Sequence, residues 1–152
     1  MRTPRGKPPP PREKRDHRIL DNFFARLGAW RPQLLSVLRI VTALLFLQHA
    51  TLKLFAFPDI GMPSPAMFSG FWWIGVLELV GGLLLIAGFW TRLAAFVLSG
   101  EMAVAYFMAH APNSPFPLVN QGEAAVLFCF VFLYVAAAGP GAWAVDTQRG
   151  KM

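Results

Sequence analysis

Residues 34–57 read LLSVLRIVTALLFLQHATLKLFAF, an apolar run that carries one arginine, one histidine and one lysine. Three further apolar blocks follow at about 68–89, 93–109 and 119–138. Each block has about 17 to 24 residues, enough for a helix to cross a hydrocarbon core of about 30 Å. Because a bilayer offers no water to the backbone, each block must be helical. The pattern predicts an all-α integral membrane protein, a bundle of four transmembrane helices.

The net charge of +6 of this 152-residue chain is concentrated at its N-terminus. Residues 1–31 hold nine basic and three acidic residues, whereas the remaining residues hold five of each. A basic tail can bind nucleic acid. Beside a first transmembrane helix, however, it is more typical of a positive-inside topology signal. We therefore expect the lipid bilayer, and no nucleic acid, as the environment of the chain.

The basic residues outside the apolar blocks predict the orientation of the helices. The N-terminal tail, the turn that contains Arg92 and the C-terminal tail all carry them, whereas residues 58–64 and 111–117 contain no Lys or Arg. By the positive-inside rule both termini should be cytoplasmic, with two loops outside. We expect no cleavable signal peptide, because about 33 mostly polar residues precede the first apolar block.

The segment before the first apolar block has two parts. Residues 1–18 combine four consecutive prolines with dense charge, which predicts a disordered, basic and proline-rich cytoplasmic tail. Residues 19–31 contain an apolar series at helical spacing: Leu20, Phe23, Phe24 and Leu27. That spacing favours a short helix lying in the membrane interface.

Six ionisable side chains interrupt the four apolar blocks: Arg39, His49, Lys53, Glu78, Glu101 and Glu123. A charge at bilayer depth costs from about 2.5 to over 10 kcal/mol, depending on the measure. Such groups usually face one another or a water-filled cavity. They are therefore the first place to look for a functional site.

The three basic groups of the first helix share one face. Arg39 and Lys53 differ by only about 40° around the axis at 3.6 residues per turn, and His49 lies between them on the same stripe. The other faces carry leucines, which suit lipid. The basic stripe should therefore face the interior of the bundle.

The predicted topology brings groups from all four helices to overlapping depths. His49 and Lys53 should lie in the outer half of the membrane, with Glu78 about 10 Å below the outer surface at 1.5 Å per residue. Glu101 should lie near the middle. Two residues at the start of the fourth helix, Asn120 and Glu123, should lie close to the outer surface.

Arg39 should stand apart from these groups, nearer the cytoplasm.

Arg39 and Lys53 carry two positive charges against three glutamates, so neutrality requires a protonated His49 or one neutral glutamic acid. A histidine or glutamic acid that holds a proton inside the bundle can also transfer it. The candidate catalytic residues, which would bind a ligand or protons, are Glu78, Glu101 and His49. The candidate ligand-binding residues are Arg39, Lys53, Asn120 and Glu123.

Three interpretations of these polar groups remain open. They can form buried ion pairs that fix helix register, a small-molecule site that opens outward, or a path for protons or ions. No metal site is expected, because neither H-x-x-x-H nor E-x-x-H spacing occurs in the chain. The single cysteine, Cys129, cannot perform dithiol exchange alone and suits a packing role.

Six short motifs follow one another in a characteristic order: LRI at 38–40, HATLKL at 49–54, ELVGGLLL at 78–85, GFWTR at 88–92, NQGE at 120–123 and GPGAWAVD at 139–146. The ordered set resembles the DoxX family over about residues 34–146. Two positions depart from the family pattern, Ala50 and Gln121, where glycine is common. Neither departure touches a charged position.

The DoxX resemblance implies a small four-helix protein of the bacterial cytoplasmic, or inner, membrane. Some relatives form part of a thiosulfate:quinone oxidoreductase, and others are linked to membrane-associated redox complexes and to thiol or oxidative-stress homeostasis. The resemblance therefore implies an accessory or quinone-interacting subunit of a membrane oxidoreductase, with a buried polar site facing the outer side.

In that interpretation a quinone is the expected cofactor, none is bound covalently, and an oxidoreductase partner supplies electrons because the sequence shows no redox centre of its own. Two alternatives stay open. One is a non-catalytic membrane scaffold with structural ion pairs. The other is a small-molecule or proton-coupled carrier that uses the same glutamates.

Overall fold

The computed structural model describes residues 12–150 with the exception of Met62 and Ser64, and side chains from Leu20 onward. The helices are α1 (Arg12–Ala29), α2 (Arg31–Phe55), α3 (Gly70–Ala87), α4 (Thr91–Ala105), α5 (Glu123–Ala138) and α6 (Val145–Gln148). A π-helical turn, Tyr106–His110, continues α4. The described residues contain no strand, which confirms the all-α prediction.

Within the described part of the chain, three helices are long and apolar enough to cross a membrane: α2, α3, and α4 together with its π-helical turn. The fourth apolar helix, α5, has 16 residues, which span about 24 Å at 1.5 Å per residue. It begins at Glu123 rather than at residue 119 as predicted, because the preceding residues form a tight turn with a positive φ of 58° at Gln121. A fourth membrane crossing therefore stays a prediction.

The chain divides into two compact units, Met1–Arg31 and Pro32–Met152. In the first, α1 begins at Arg12 rather than at residue 19, since Arg, Glu and Lys are good helix formers. The earlier part of the predicted disordered tail, residues 1–11, lies outside the described residues. All four apolar side chains of the predicted interfacial segment are exposed: Leu20, Phe23, Phe24 and Leu27.

Aromatic rings form the centre of the core in the second unit. The ring of Phe46 on α2 meets Phe132 and Phe128 of α5 edge-on, at centroid distances of 5.0 and 5.3 Å. From α4, Ala95 and Leu98 complete the same buried cluster. Edge-to-face pairs of this kind add to the packing contacts on which membrane helices depend for association.

Two adjacent glycines allow close packing against α3. A Cβ atom on Gly81 would lie 2.9 Å from the side chain of Leu98 on α4, and one on Gly82 would lie 2.6 Å from Leu47 on α2. Small residues allow helices to approach closely in membrane proteins. Gly81 and Gly82 thus bring α4 and α2 against α3, which also carries Glu78.

Candidate functional site

An ion pair joins α2 to α3. The Nζ atom of Lys53 lies 2.5 Å from Oε1 of Glu78. The Glu78 side chain is completely buried, whereas the side chain of Lys53 is 25% exposed. A buried carboxylate requires such a partner, because an isolated charge in an apolar environment is strongly unfavourable.

The local sequence of α3 explains how Lys53 reaches Glu78. Gly75 precedes Glu78 by three residues and therefore lies on the same helix face. A Cβ atom on Gly75 would lie only 3.0 Å from the Cβ of Lys53. The stem of Lys53 can therefore approach the backbone of α3, and its ammonium group continues to the carboxylate.

Two carboxylate oxygens in this region have no hydrogen-bond donor among the described residues. They are Oε2 of Glu78 and Oε2 of Glu101, and both atoms are buried. Glu101 lies on α4, and its charge interacts with those of Glu78 and Lys53. Buried acceptors without a donor are unusual, because each loses its hydration without compensation.

His49 lies one turn before Lys53 on α2, and their charges interact. Its ring meets Phe128 edge-on at 5.7 Å and is tilted against Phe46 at 6.3 Å. The side chain is nevertheless exposed at the surface of the protein. We call His49, Lys53, Glu78 and Glu101 the polar cluster, which combines side chains from α2, α3 and α4.

Arg39 lies outside the polar cluster and binds backbone carbonyls instead. Its buried guanidinium donates to the carbonyl oxygens of Leu85, Ile86 at 3.0 Å, Pro140 at 2.9 Å and Trp143 at 2.5 Å. The last carbonyls of a helix have no partner within the helix. Arg39 therefore caps the C-terminal end of α3 and ties it to the segment after α5.

Two further charged residues cap helices at the same end of the bundle. Arg92 donates to the carbonyls of Ala136 and Ala137, in the last turn of α5, at 2.8 and 2.6 Å. Asp146 accepts hydrogen bonds from the backbone N–H groups of Trp90 and Thr91 at 3.0 and 2.8 Å, before and at the start of α4. We call Arg39, Arg92 and Asp146 the capping cluster.

Asp146 keeps its negative charge in this setting. Burial by itself raises the pKa of Asp146, but the backbone hydrogen bonds from Thr91 and Trp90 and the nearby charge of Arg149 outweigh it. The pKa of Asp146 therefore lies below its ordinary value. An anionic side chain at a helix N-terminus is also favoured by the helix dipole.

The capping roles of Arg92 and Asp146 were not identified from the sequence. Both residues stand within motifs that carry the family resemblance, GFWTR at 88–92 and GPGAWAVD at 139–146. Their partners are backbone groups far away along the chain, and residue spacing carries no signal of such contacts. The available signal was the combination of glycine-rich helix ends with a charged residue close by.

Asn120 and Glu123 lie at the start of α5, and no hydrogen bond or ion pair between described residues joins either one to the polar cluster. Asn120 is buried and organises the preceding loop: its Nδ2 donates to the carbonyl of Ser114, and its Oδ1 accepts from the N–H of Gly122, both at 2.8 Å. Glu123 is exposed in the first turn of α5.

The chemistry available to the polar cluster follows from its four side chains. Lys53 and His49 can donate hydrogen bonds, and the glutamate oxygens can accept hydrogen bonds or protons. Between residues 12 and 150, leaving aside 62 and 64, no group of three His, Cys, Asp or Glu side chains is placed to hold a metal ion. The arrangement suits a small polar group or a proton.

These helices and the buried charges define the chain as an all-helical, multi-pass membrane protein in a lipid bilayer. The DoxX family model matches residues 34–111. An uncharacterised protein of Haemophilus influenzae is 44% identical over 134 residues, a match that covers 82% of this chain and 97% of the relative. No solved structure matches the chain. The protein belongs to the DoxX family.

Proposed function

We propose that this protein is a quinone-interacting accessory subunit of a membrane oxidoreductase, and that the polar cluster holds the quinone headgroup. The observation that carries the proposal is the state of Glu78. Its side chain is fully buried, one oxygen is paired with Lys53, and the other has no donor among the described residues. A bound polar headgroup would supply the missing partner.

Access to the polar cluster favours a lipid-soluble ligand. His49 is exposed on α2, a helix of membrane-spanning length, so its ring faces the surroundings of the bundle. A quinone dissolved in the hydrocarbon phase would approach from that side. The half-buried ring of Phe128, which meets His49 edge-on at 5.7 Å, offers an apolar surface for a flat ring.

In the proposed role, electrons and protons are exchanged with the quinone by different groups. Interconversion of a quinone and its quinol moves two electrons and two protons. A partner oxidoreductase would exchange the electrons, and Glu78 and Glu101 would accept or deliver the protons. Carboxyl groups within membrane helices are typical of proton relays.

The proposal includes a topology. The helix α5 is the fourth span, both termini are cytoplasmic, and the polar cluster faces the outer half of a bacterial inner membrane. Positive charges at the N-terminus, at Arg92 and at Arg149 support this orientation. The exposed apolar side chains of α1 support its placement in the cytoplasmic interface.

A scaffold is the second candidate function, and the capping cluster favours it. The guanidinium groups of Arg39 and Arg92 donate hydrogen bonds to backbone carbonyls at helix ends. These two charged side chains therefore stabilise the bundle rather than bind a ligand. If the Lys53–Glu78 pair does the same, it fixes the register of α2 against α3.

Binding of a quinone analogue to the purified protein in detergent separates these two functions. We expect saturable micromolar binding to the wild type and loss of binding in Lys53→Met and Glu78→Gln variants that remain folded. Asp21→Asn, an exposed change outside the polar cluster, is the control for loss of a carboxylate and should bind as the wild type does. Absence of binding to the wild type, with the two variants merely less thermostable, would establish the scaffold instead.

A further inference from the structure

We infer that the polar cluster prefers the reduced form of the carrier, a hydroquinone, over the oxidised quinone. This inference rests on the proposed function and specifies which redox state of the ligand the site recognises. It follows from which hydrogen-bonding groups are left without partners in the protein.

The unpartnered buried atoms of the polar cluster are acceptors. Oε2 of Glu78 and Oε2 of Glu101 are both buried and have no donor among the residues that the structure describes. No buried side-chain nitrogen of the polar cluster lacks a partner among the described residues, and the ammonium group of Lys53 is paired with Glu78. A ligand that pairs with these acceptor atoms must therefore provide hydrogen-bond donors.

The two redox states of a quinone differ in this property. The oxidised ring carries carbonyl oxygens, which only accept hydrogen bonds, whereas the reduced ring carries two hydroxyl groups, which donate. A carbonyl placed against Oε2 of Glu78 or Glu101 would set two acceptors against each other. A hydroxyl in the same position forms a charge-assisted hydrogen bond, which is stronger than a neutral one.

The polar cluster with both glutamates ionised disfavours an anionic ligand. Glu78 and Glu101 together carry two negative charges when ionised, against one on Lys53 and a second only if His49 is protonated. With both carboxylates ionised the total is negative or zero, which opposes an anion such as thiosulfate or phosphate. A neutral hydroxyl-bearing ring satisfies the acceptors without adding negative charge.

The two acceptors belong to different helices, α3 and α4, and this gives the inference a residue-level test. The variant of choice is Glu101→Gln, since Glu78→Gln would also leave Lys53 without its partner. The glutamine amide keeps one acceptor but replaces a carboxylate oxygen by a donor. The preference for the reduced form should therefore fall in this variant.

The experiment compares a short-chain ubiquinone analogue and its dithionite-reduced form under anaerobic conditions, bound to the full-length protein in detergent. We expect the wild type and the control variant Asp21→Asn, at an exposed position outside the polar cluster, to bind the reduced form at least about tenfold more tightly. In Glu101→Gln the ratio should fall to about one, with an unchanged melting temperature to show that the protein is folded.

Each outcome has a separate meaning. Equal or tighter binding of the oxidised form to the wild type would overturn this inference and leave the proposed function standing. Binding of neither form would overturn the proposed function. A tenfold preference that persists in folded Glu101→Gln would overturn the part given to Glu101 and support Oε2 of Glu78 as the acceptor that recognises the reduced form.

Discussion

The ammonium nitrogen of Lys53 lies 2.5 Å from a carboxylate oxygen of Glu78, whose side chain is completely buried. Gly75 makes this contact accessible, because a side chain at that position would press on the stem of Lys53. The pair joins α2 to α3, and the charges of both its members act on Glu101 of α4. A change in this contact should therefore affect both the stability of the protein and the proposed ligand binding.

Removal of Lys53 alone should destabilise the protein more than removal of both members of the pair. Lys53→Met leaves Glu78 buried without its cation, a change that typically costs about 3–5 kcal/mol. The double variant Lys53→Met/Glu78→Leu replaces both by apolar groups and should recover most of that loss. Unfolding in detergent with increasing dodecyl sulfate measures all three proteins. A double variant that is less stable than Lys53→Met would contradict a structural role of the pair.

Arg39→Lys should destabilise the bundle although it keeps the charge. A lysine ammonium cannot reproduce the planar fork with which Arg39 binds four separate carbonyl oxygens. We expect a loss of about 2–4 kcal/mol of unfolding free energy, with unchanged ligand affinity in the folded fraction. Arg26→Lys, at an exposed position, is the control and should change stability by less than about 0.5 kcal/mol. A stable Arg39→Lys variant with weakened ligand binding would instead place Arg39 at the ligand site.

Gly88→Ala should weaken the connection between the α3–α4 turn and the C-terminal segment. Gly88 has a φ of +67°, and an added Cβ would lie 2.7 Å from the Cα of Ala144. The backbone strain and this collision should together lower the unfolding free energy by more than about 2 kcal/mol. Gly100→Ala is the matched control, because no atom lies within 4 Å of the added Cβ. Equal thermal stability of the two variants would show that this contact is dispensable.

Asp146 should make stability depend on pH in the acid range. Because the folded protein holds the pKa of Asp146 below its ordinary value, its contribution is fully present above the pKa of the unfolded chain, about 3.9. The contribution is lost as the pH falls further, through the folded pKa. We expect Asp146→Asn to be less stable than the wild type at pH 7, with the difference shrinking below about pH 4. A difference that stays constant down to pH 2 would contradict this electrostatic role, and Asp21→Asn, at an exposed position, controls for loss of a carboxylate as such.

The proposed orientation can be tested with single cysteines in a Cys129→Ala background. A membrane-impermeant maleimide added to intact cells with a permeabilised outer membrane should label Asp59→Cys, which lies in the loop after α2. It should label Gln148→Cys in α6 only after the inner membrane is opened. The reverse pattern would invert the topology, and labelling of both sites in intact cells would mean that α5 does not cross the membrane.

Much of the helical fold could be predicted because membrane helices follow length and hydropathy. The predicted segments 34–57 and 68–89 overlap α2 and α3 with differences of only a few residues at their ends. The start of α5 was less predictable. Asn120 binds Gly122 through its side chain and closes a turn, a local hydrogen bond that an apolar run does not reveal.

The Lys53–Glu78 pair joins two groups that the sequence predicts at overlapping depths, because helix length and direction fix where each group lies along the bundle. Arg39 lies apart from this pair, as predicted, but its carbonyl partners were not anticipated. Hydrogen bonds between side chains and distant backbone groups depend on how the helix ends meet. Helical periodicity does not predict which helix ends contact each other. The capping cluster could therefore be identified only from the structure.

Photo-crosslinking with an azidoquinone in proteoliposomes tests the central claim most directly. If the polar cluster is the headgroup site, mass spectrometry should find the label on peptides that contain His49 to Lys53 or the parts of α3 and α4 around Glu78 and Glu101. Excess unlabelled quinone should suppress this labelling, and Asp21→Asn should leave it unchanged. Labelling spread evenly over the exposed apolar residues of all helices, and insensitive to unlabelled quinone, would contradict the claim that this protein has a quinone site.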